Sequence, residues 1–144
     1  MIASAASAPR PYGALRVVCA DDHPGFLQSV VDTLEHAGML VVAISSTGPG
    51  AIETIGAFAP DVAVLDFRMP GLNGVDVALV ARDRFPTTRI VILSSYDDPE
   101  LIKLAIDAGA AAFVVKDNLP HELVGAVRRA AHKAGACGRR RRAV

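Results

Sequence analysis

Five short apolar runs recur along the chain: LRVVCA from Leu15, MLVVAI from Met39, DVAVLD from Asp61, RIVILS from Arg89 and AAFVV from Ala111. Most are rich in Val or Ile, and each gives way to polar, Gly or Pro residues. Continuous apolar runs of this length suit strands buried on both faces, not strands with one wet face. The segments between them carry helical periodicity. Phe26, Val30 and Leu34 lie four apart, with Leu27 and Val31 beside them. Leu101, Leu104, Ala105 and Ala108 repeat the pattern, as do Leu123, Val124, Val127 and Ala131. Strand and helix therefore alternate five times, which predicts an α/β domain with a parallel sheet covered by helices on both faces.

Local signals mark the boundaries. Asn73 is placed to cap a helix entered by Gly74, with Asp76 three residues on in a capping-box position. Gly38 and Gly109 stand where helices should stop. Asp117 or Asn118 is expected to cap the last helix, with Pro120 in its first turn. The second helix, around Ile52 to Phe58, has the weakest signal, because Gly48, Pro49, Gly50 and Gly56 all lower helix propensity.

Composition bounds the rest. The 144 residues are 51% hydrophobic, enough for one domain with a core. The expected folded unit is 15–134. The preceding segment, 1–14, is rich in Ala, Ser and Pro and is expected to be disordered. The closing segment, 135–144, reads as a flexible basic tail. Basic and acidic residues balance at 15 each, but Arg139 to Arg142 supply four of the positive charges. The body is therefore mildly acidic, which argues against a nucleic-acid-binding core. Cys19 and Cys137 have no metal or redox spacing, and Cys19 reads as a small buried hydrophobe. No signal-peptide pattern and no membrane-length apolar run is present, so a cytoplasmic location and no membrane partner are expected.

In an open α/β sheet, function gathers at the carboxyl ends of the strands. Asp21, Asp22 and His23 follow the first strand, Asp66 ends the third, Ser94 and Ser95 end the fourth, and Lys116 follows the fifth. One rim thus collects three carboxylates, a hydroxyl and an ammonium. Crowded carboxylates raise one another's pKa unless a cation joins them. Mg²⁺ (or Mn²⁺) is the natural cation, being hard and oxygen-seeking. A metal and a lysine around a carboxylate nucleophile, with a hydroxyl donor nearby, meet the needs of phosphoryl transfer, which is mostly positioning and electrostatics. The alternation and the strand-end acids together predict a flavodoxin-like (βα)5 doubly wound parallel sheet of strand order 2-1-3-4-5.

Four motifs carry a resemblance: CADDHP at Cys19 to Pro24, VAVLDFRMPGLNG at Val62 to Gly74, VILSSYDD at Val91 to Asp98 and AAFVVKD at Ala111 to Asp117. In this order, at strand ends, they resemble the receiver domains of bacterial response regulators over roughly Leu15 to Ala134. His-Pro after the acid pair, Arg68-Met69-Pro70-Gly71, and Lys116 followed by Asp117 look most like the NarL/FixJ class. The resemblance implies that Asp66 is the phosphoacceptor. It implies that Asp22 is a direct metal ligand, that Asp21 is a ligand mostly through water, and that Asp66 and the Arg68 backbone carbonyl complete the set. Ser94 would be the switch hydroxyl, Phe113 the switch aromatic, and Lys116 the phosphoryl-binding lysine. Arg68 and Tyr96 would flank the site. The implied partners are a sensor histidine kinase and, on phosphorylation, a second copy of the chain. Nucleic acid would be reached through an output domain outside this sequence.

Two departures stand out. Many receivers have Pro directly after the lysine, where this chain has Asp117. Phe113 replaces the Tyr of many relatives and has no hydroxyl to donate. Other readings meet obstacles. A haloacid-dehalogenase phosphatase needs a second Asp two residues after its nucleophile, where Arg68 stands. A flavodoxin-like FMN carrier needs a phosphate loop after the first strand, where Asp21 and Asp22 would repel phosphate. The expected function is a phosphoacceptor switch and not a metabolic enzyme, its activities limited to self-phosphorylation and autodephosphorylation. The chain is either a stand-alone receiver or the receiver of a longer DNA-binding transcriptional regulator.

Overall fold

The computed structural model describes residues 14–143, with side chains through His132. Five strands alternate with five helices: β1 (Arg16–Ala20), α1 (Pro24–His36), β2 (Leu40–Ser45), α2 (Gly48–Phe58), β3 (Val62–Asp66), α3 (Gly74–Arg84), β4 (Arg89–Ser94), α4 (Pro99–Asp107), β5 (Ala112–Val115) and α5 (His121–Ala143). The sheet runs β2-β1-β3-β4-β5 and every pairing is parallel. The flavodoxin-like order expected from the alternation is therefore present. β3 is central and buried at every position.

Strand side chains alternate between faces, so each strand feeds two cores. On one face Val17, Cys19, Val62, Val64, Val91, Leu93 and Val114 meet α1 and α5 through Leu27, Val30, Leu34, Leu123 and Val127. On the other, Val18, Ala63, Leu65, Ile90 and Ile92 meet α2, α3 and α4 through Ala51, Ile55, Val77, Ala78, Ala81 and Ala105. Cys19 is fully buried, and burial pushes its thiol up to about 12, as befits an inert core residue.

The helix signals hold in most places. Asn73 and Asp76 form a reciprocal capping box at 2.8 and 3.1 Å. Gly38 and Gly109 end their helices with φ of 87° and 104°. α2 starts at Gly48, earlier than the expected Ile52, because the Thr47 hydroxyl accepts the Gly50 N–H at 3.0 Å and Pro49 suits the first turn. The start of α5 differs from expectation. Lys116–Asn118 form a 3₁₀ turn, neither Asp117 nor Asn118 caps α5, and Pro120 precedes the helix through a cis Leu119–Pro120 bond. Backbone helix then continues through Ala143, beyond the Ala134 at which the sequence reading ended it. Alanine and arginine, both strong helix formers, dominate that stretch. The segment expected to be disordered, 1–14, lies outside the described residues apart from Ala14.

The last described α5 side chain in the core is Ala130, with Ala131 packed against it. Deleting the residues after Ala134 is therefore expected to leave the melting temperature nearly unchanged. A large loss on calorimetry would show that the tail docks on the domain. Among the described residues no helix is long and apolar enough to cross a membrane.

Candidate phosphoacceptor site

Strand parity decides which groups meet at the rim. Asp21, Asp66 and Lys116 each lie two residues beyond a first-face residue: Cys19, Val64 and Val114. They therefore converge on the α1/α5 side. Ser94 and Phe113 continue the opposite rows, two beyond Ile92 and facing it across the β4–β5 pair.

Lys116 is the hub. Its Nζ lies 2.8 Å from Asp66 Oδ1 and donates to Asp21 Oδ2 at 3.2 Å. Asp21 and Asp66 are both buried, whereas Asp22 is exposed. Asp21 is held by the end of β2 and by its own turn: its N–H donates to the Ser45 carbonyl at 3.1 Å, and its Oδ1 accepts the His23 N–H at 2.9 Å. His23 caps α1, its Nδ1 accepting the Phe26 N–H at 3.0 Å.

Burial pushes the Asp66 carboxyl above its ordinary value. The hydrogen bond from Lys116 opposes this without cancelling it, and the charges of Asp21 and Asp22 add to the rise. Burial also works against the charge of Lys116. The hydrogen bonds and charges of Asp66 and Asp21 outweigh it and hold the ammonium above its ordinary range. The site is thus short of positive charge. Oxygens from Asp21, Asp22 and Asp66 lie within 4.8 Å of one another, a spacing and an all-oxygen donor set that can hold a divalent metal ion. The Arg68 carbonyl takes part in no backbone hydrogen bond among the described residues.

Beside Asp66 opens a narrow cleft of about 40 Å³, lined by Arg68, Ser94, Tyr96 and Lys116 among others. The Arg68 guanidinium lies over the Tyr96 ring, 5.6 Å from its centroid. The buried Ser94 hydroxyl accepts the Tyr96 N–H at 3.1 Å.

The response regulator receiver domain family matches residues 17–128. The chain belongs to that family. Among its relatives, the probable transcriptional regulatory protein NarL of Mycobacterium tuberculosis is 43% identical over 114 residues, covering 78% of this chain and 53% of the relative. The transcriptional activator DevR/DosR of the same organism is 38% identical over 115 residues, covering 79% and 53%. The solved signal receiver domain of the M. tuberculosis NarL superposes with a TM-score of 0.79 at 42% identity, covering 83% of this chain and 97% of that one. The NarL/FixJ-like class expected from the motifs is thus the right one. This receiver spans about half the length of the curated relatives it matches.

The receiver brings together Asp21, Asp22, Asp66 and Lys116 as the sequence suggested, and sets Ser94, Arg68 and Tyr96 around the cleft. Phe113 is half-buried and packs against the second core, opposite Ile92. The sequence reading missed Phe26. Its ring lies beneath the Lys116 ammonium, 4.1 Å from Nζ to centroid. A Phe four residues past the acid pair reads as helix core, and no local signal marks it for the site.

Proposed function

We propose that a sensor histidine kinase, or a small phosphodonor, transfers a phosphoryl group to Asp66, and that the receiver then changes its partner surface. The observation that carries this reading is the lysine that bridges two buried carboxylates within a trio of acids. A carboxylate oxygen of Asp66 attacks phosphorus, and the donor's leaving group departs with the bond electrons. Lys116 lies close enough to both carboxylates to follow the charge from Asp66 to the incoming phosphoryl oxygens. Asp21, Asp22, Asp66 and the Arg68 carbonyl would hold Mg²⁺ or Mn²⁺. When bound, the metal would neutralise charge on the phosphoryl group.

Incubation with acetyl phosphate and Mg²⁺ should add one phosphoryl group, read by intact mass, and a chelator should prevent it. An unlabelled protein under saturating Mg²⁺ would sink the reading. Asp22→Ala should weaken Mg²⁺ binding at least tenfold in a fluorescence or calorimetric titration, since it removes the one exposed carboxylate of the trio. Unchanged affinity would take Asp22 out of the site.

The switch follows from the charge added. A phosphoryl group carries close to two negative charges at neutral pH. The Ser94 hydroxyl would donate to it and abandon the Tyr96 N–H. The space left on the second face is where Phe113 can turn, by packing alone and without a hydroxyl. Ser94→Ala should still be labelled but respond weakly. In wild type, beryllofluoride should alter amide exchange over Tyr96 to Ile106 and near Phe113. Protection that changes only around Asp66 in wild type would rule out this route.

Control of a DNA-binding output is a second reading, favoured by relatives that are named as transcriptional regulators and of which the match covers 53%. Phosphorylation-dependent homodimerisation and a cytoplasmic location complete the proposal, with no chemistry on other substrates beyond autodephosphorylation.

A further inference from the structure

Lys116 reaches the site from a short 3₁₀ turn on a flexible four-carbon stem, and its charge is pulled by two carboxylates at 2.8 and 3.2 Å. Both attractions are conditional under the proposed function, on which this inference rests. A divalent cation among Asp21, Asp22 and Asp66 competes for the same oxygens, and esterification turns Asp66 into a different group. Something else must keep the ammonium in place while these partners change.

We propose that Phe26 is a positioning residue for Lys116, its ring forming the third wall of the ammonium site. The ring centroid stands 4.1 Å from Nζ, inside the range of a strong cation–π contact. A neutral quadrupole attracts the lysine but offers nothing to a hard metal, so it does not weaken as the carboxylates are taken up. The ring is itself well placed. His23 Nδ1 accepts the Phe26 N–H, and the His23 N–H donates to the Asp21 carboxylate that also receives Lys116. One turn, Asp21 to Phe26, therefore supplies both a carboxylate and an aromatic wall to the same ammonium. Phe26 packs on its other side against the α1/α5 core, which fixes the ring from behind.

The test compares Phe26→Leu with Phe26→Tyr, which keeps the ring. Nuclear magnetic resonance of the Lys116 ε-methylene protons gives a readout independent of phosphorylation. In wild type they should show an upfield ring-current shift, kept when Mg²⁺ and beryllofluoride are added, lost in Phe26→Leu and kept in Phe26→Tyr. The initial rate of labelling by acetyl phosphate at saturating Mg²⁺ should fall about 3- to 10-fold in Phe26→Leu, the range of a partly desolvated cation–π contact. Phe26→Tyr should recover most of the rate, and Mg²⁺ affinity should stay the same in both. Labelling of Phe26→Leu at the wild-type rate would overturn the inference, as would equal losses in the two variants. So would a ring-current shift that vanishes on adding beryllofluoride. If wild type takes no label at all, the proposed function fails, and the ring-current arm still reports on Phe26.

Discussion

Asp66→Asn is expected to take no label from acetyl phosphate and, without metal, to melt higher than wild type at neutral pH. The first result follows from the loss of the nucleophilic oxygen. The second follows from the direction in which the Asp66 carboxyl is pushed. Burial raises it, and Asp21 and Asp22 raise it further, so the ionised form is disfavoured on balance even with Lys116 at 2.8 Å. A raised folded-state value means that the folded protein holds its proton more tightly than the unfolded chain. The contribution of Asp66 is full below the ordinary carboxylate value of 3.8 and is lost as pH rises through the raised one. Metal-free wild type should therefore lose ground to Asp66→Asn as pH climbs through the acid range. Lys116, also raised, does not change this window, because its contribution is lost only at alkaline pH. Mg²⁺ should reverse the order. At ten times its dissociation constant a metal that binds the folded state alone adds about 1.4 kcal/mol, and the Asn variant should gain less. If Asp66→Asn melts below wild type in chelator at neutral pH, the Lys116 ion pair outweighs the crowding of acids.

Gly48→Ala should be the most damaging of the small changes away from the acids. A Cβ at Gly48 would run into the Leu72 carbonyl oxygen and stand 2.8 Å from its carbon, both main-chain atoms with no rotamer to escape into. The Gly48 N–H donates to the Pro70 carbonyl at 3.1 Å, and at Gly71, with φ of 85°, a Cβ would meet Pro49 at 2.8 Å. The loop after β3 is thus pressed onto the start of α2. Overpacking of this kind costs about 1–3 kcal/mol or more, which for a domain of this size lowers the melting temperature by roughly 5–15 °C. The same loop carries Arg68, so Mg²⁺ affinity should fall with it. Gly56→Ala is the control, since its Cβ would meet the Phe85 ring at 3.2 Å, a contact a small tilt relieves. Equal losses at both positions would point to helix propensity instead of close approach.

These glycines also show where the sequence stopped being legible. Gly48 and Gly50 read as helix breakers, yet they are present because a loop and the Ser45 and Thr47 hydroxyls come too close for a side chain. Propensity has no access to that contact. The acids and Lys116 were legible for the opposite reason: continuous apolar runs fix where strands end, and strand ends of a parallel sheet fix the rim. Phe26 stayed hidden because its helical spacing is that of any core residue, and its functional contact spans 90 positions of sequence. The start of α5 was misplaced because a 3₁₀ turn and a helix share the same polar opening residues.

The two faces of the sheet are not furnished alike. The α1/α5 side is filled with valine and leucine, with Ala126 and Ala130 its buried alanines. The α2/α3/α4 side relies on Ala20, Ala51, Ala63, Ala78, Ala81, Ala105, Ala108 and Ala110. A buried alanine removes far less apolar surface from water than a leucine, and the helix α4 buries only Ala105, so it is lightly moored. Local opening draws on the weakest moorings first. Asp21, Asp66 and Lys116 stand over the heavy side, while Ser94 and Phe113 stand over the light one. The sheet divides the domain like a keel, with Asp21, Asp66 and Lys116 on the heavier side and Ser94 and Phe113 above the layer in which α4 buries a single side chain.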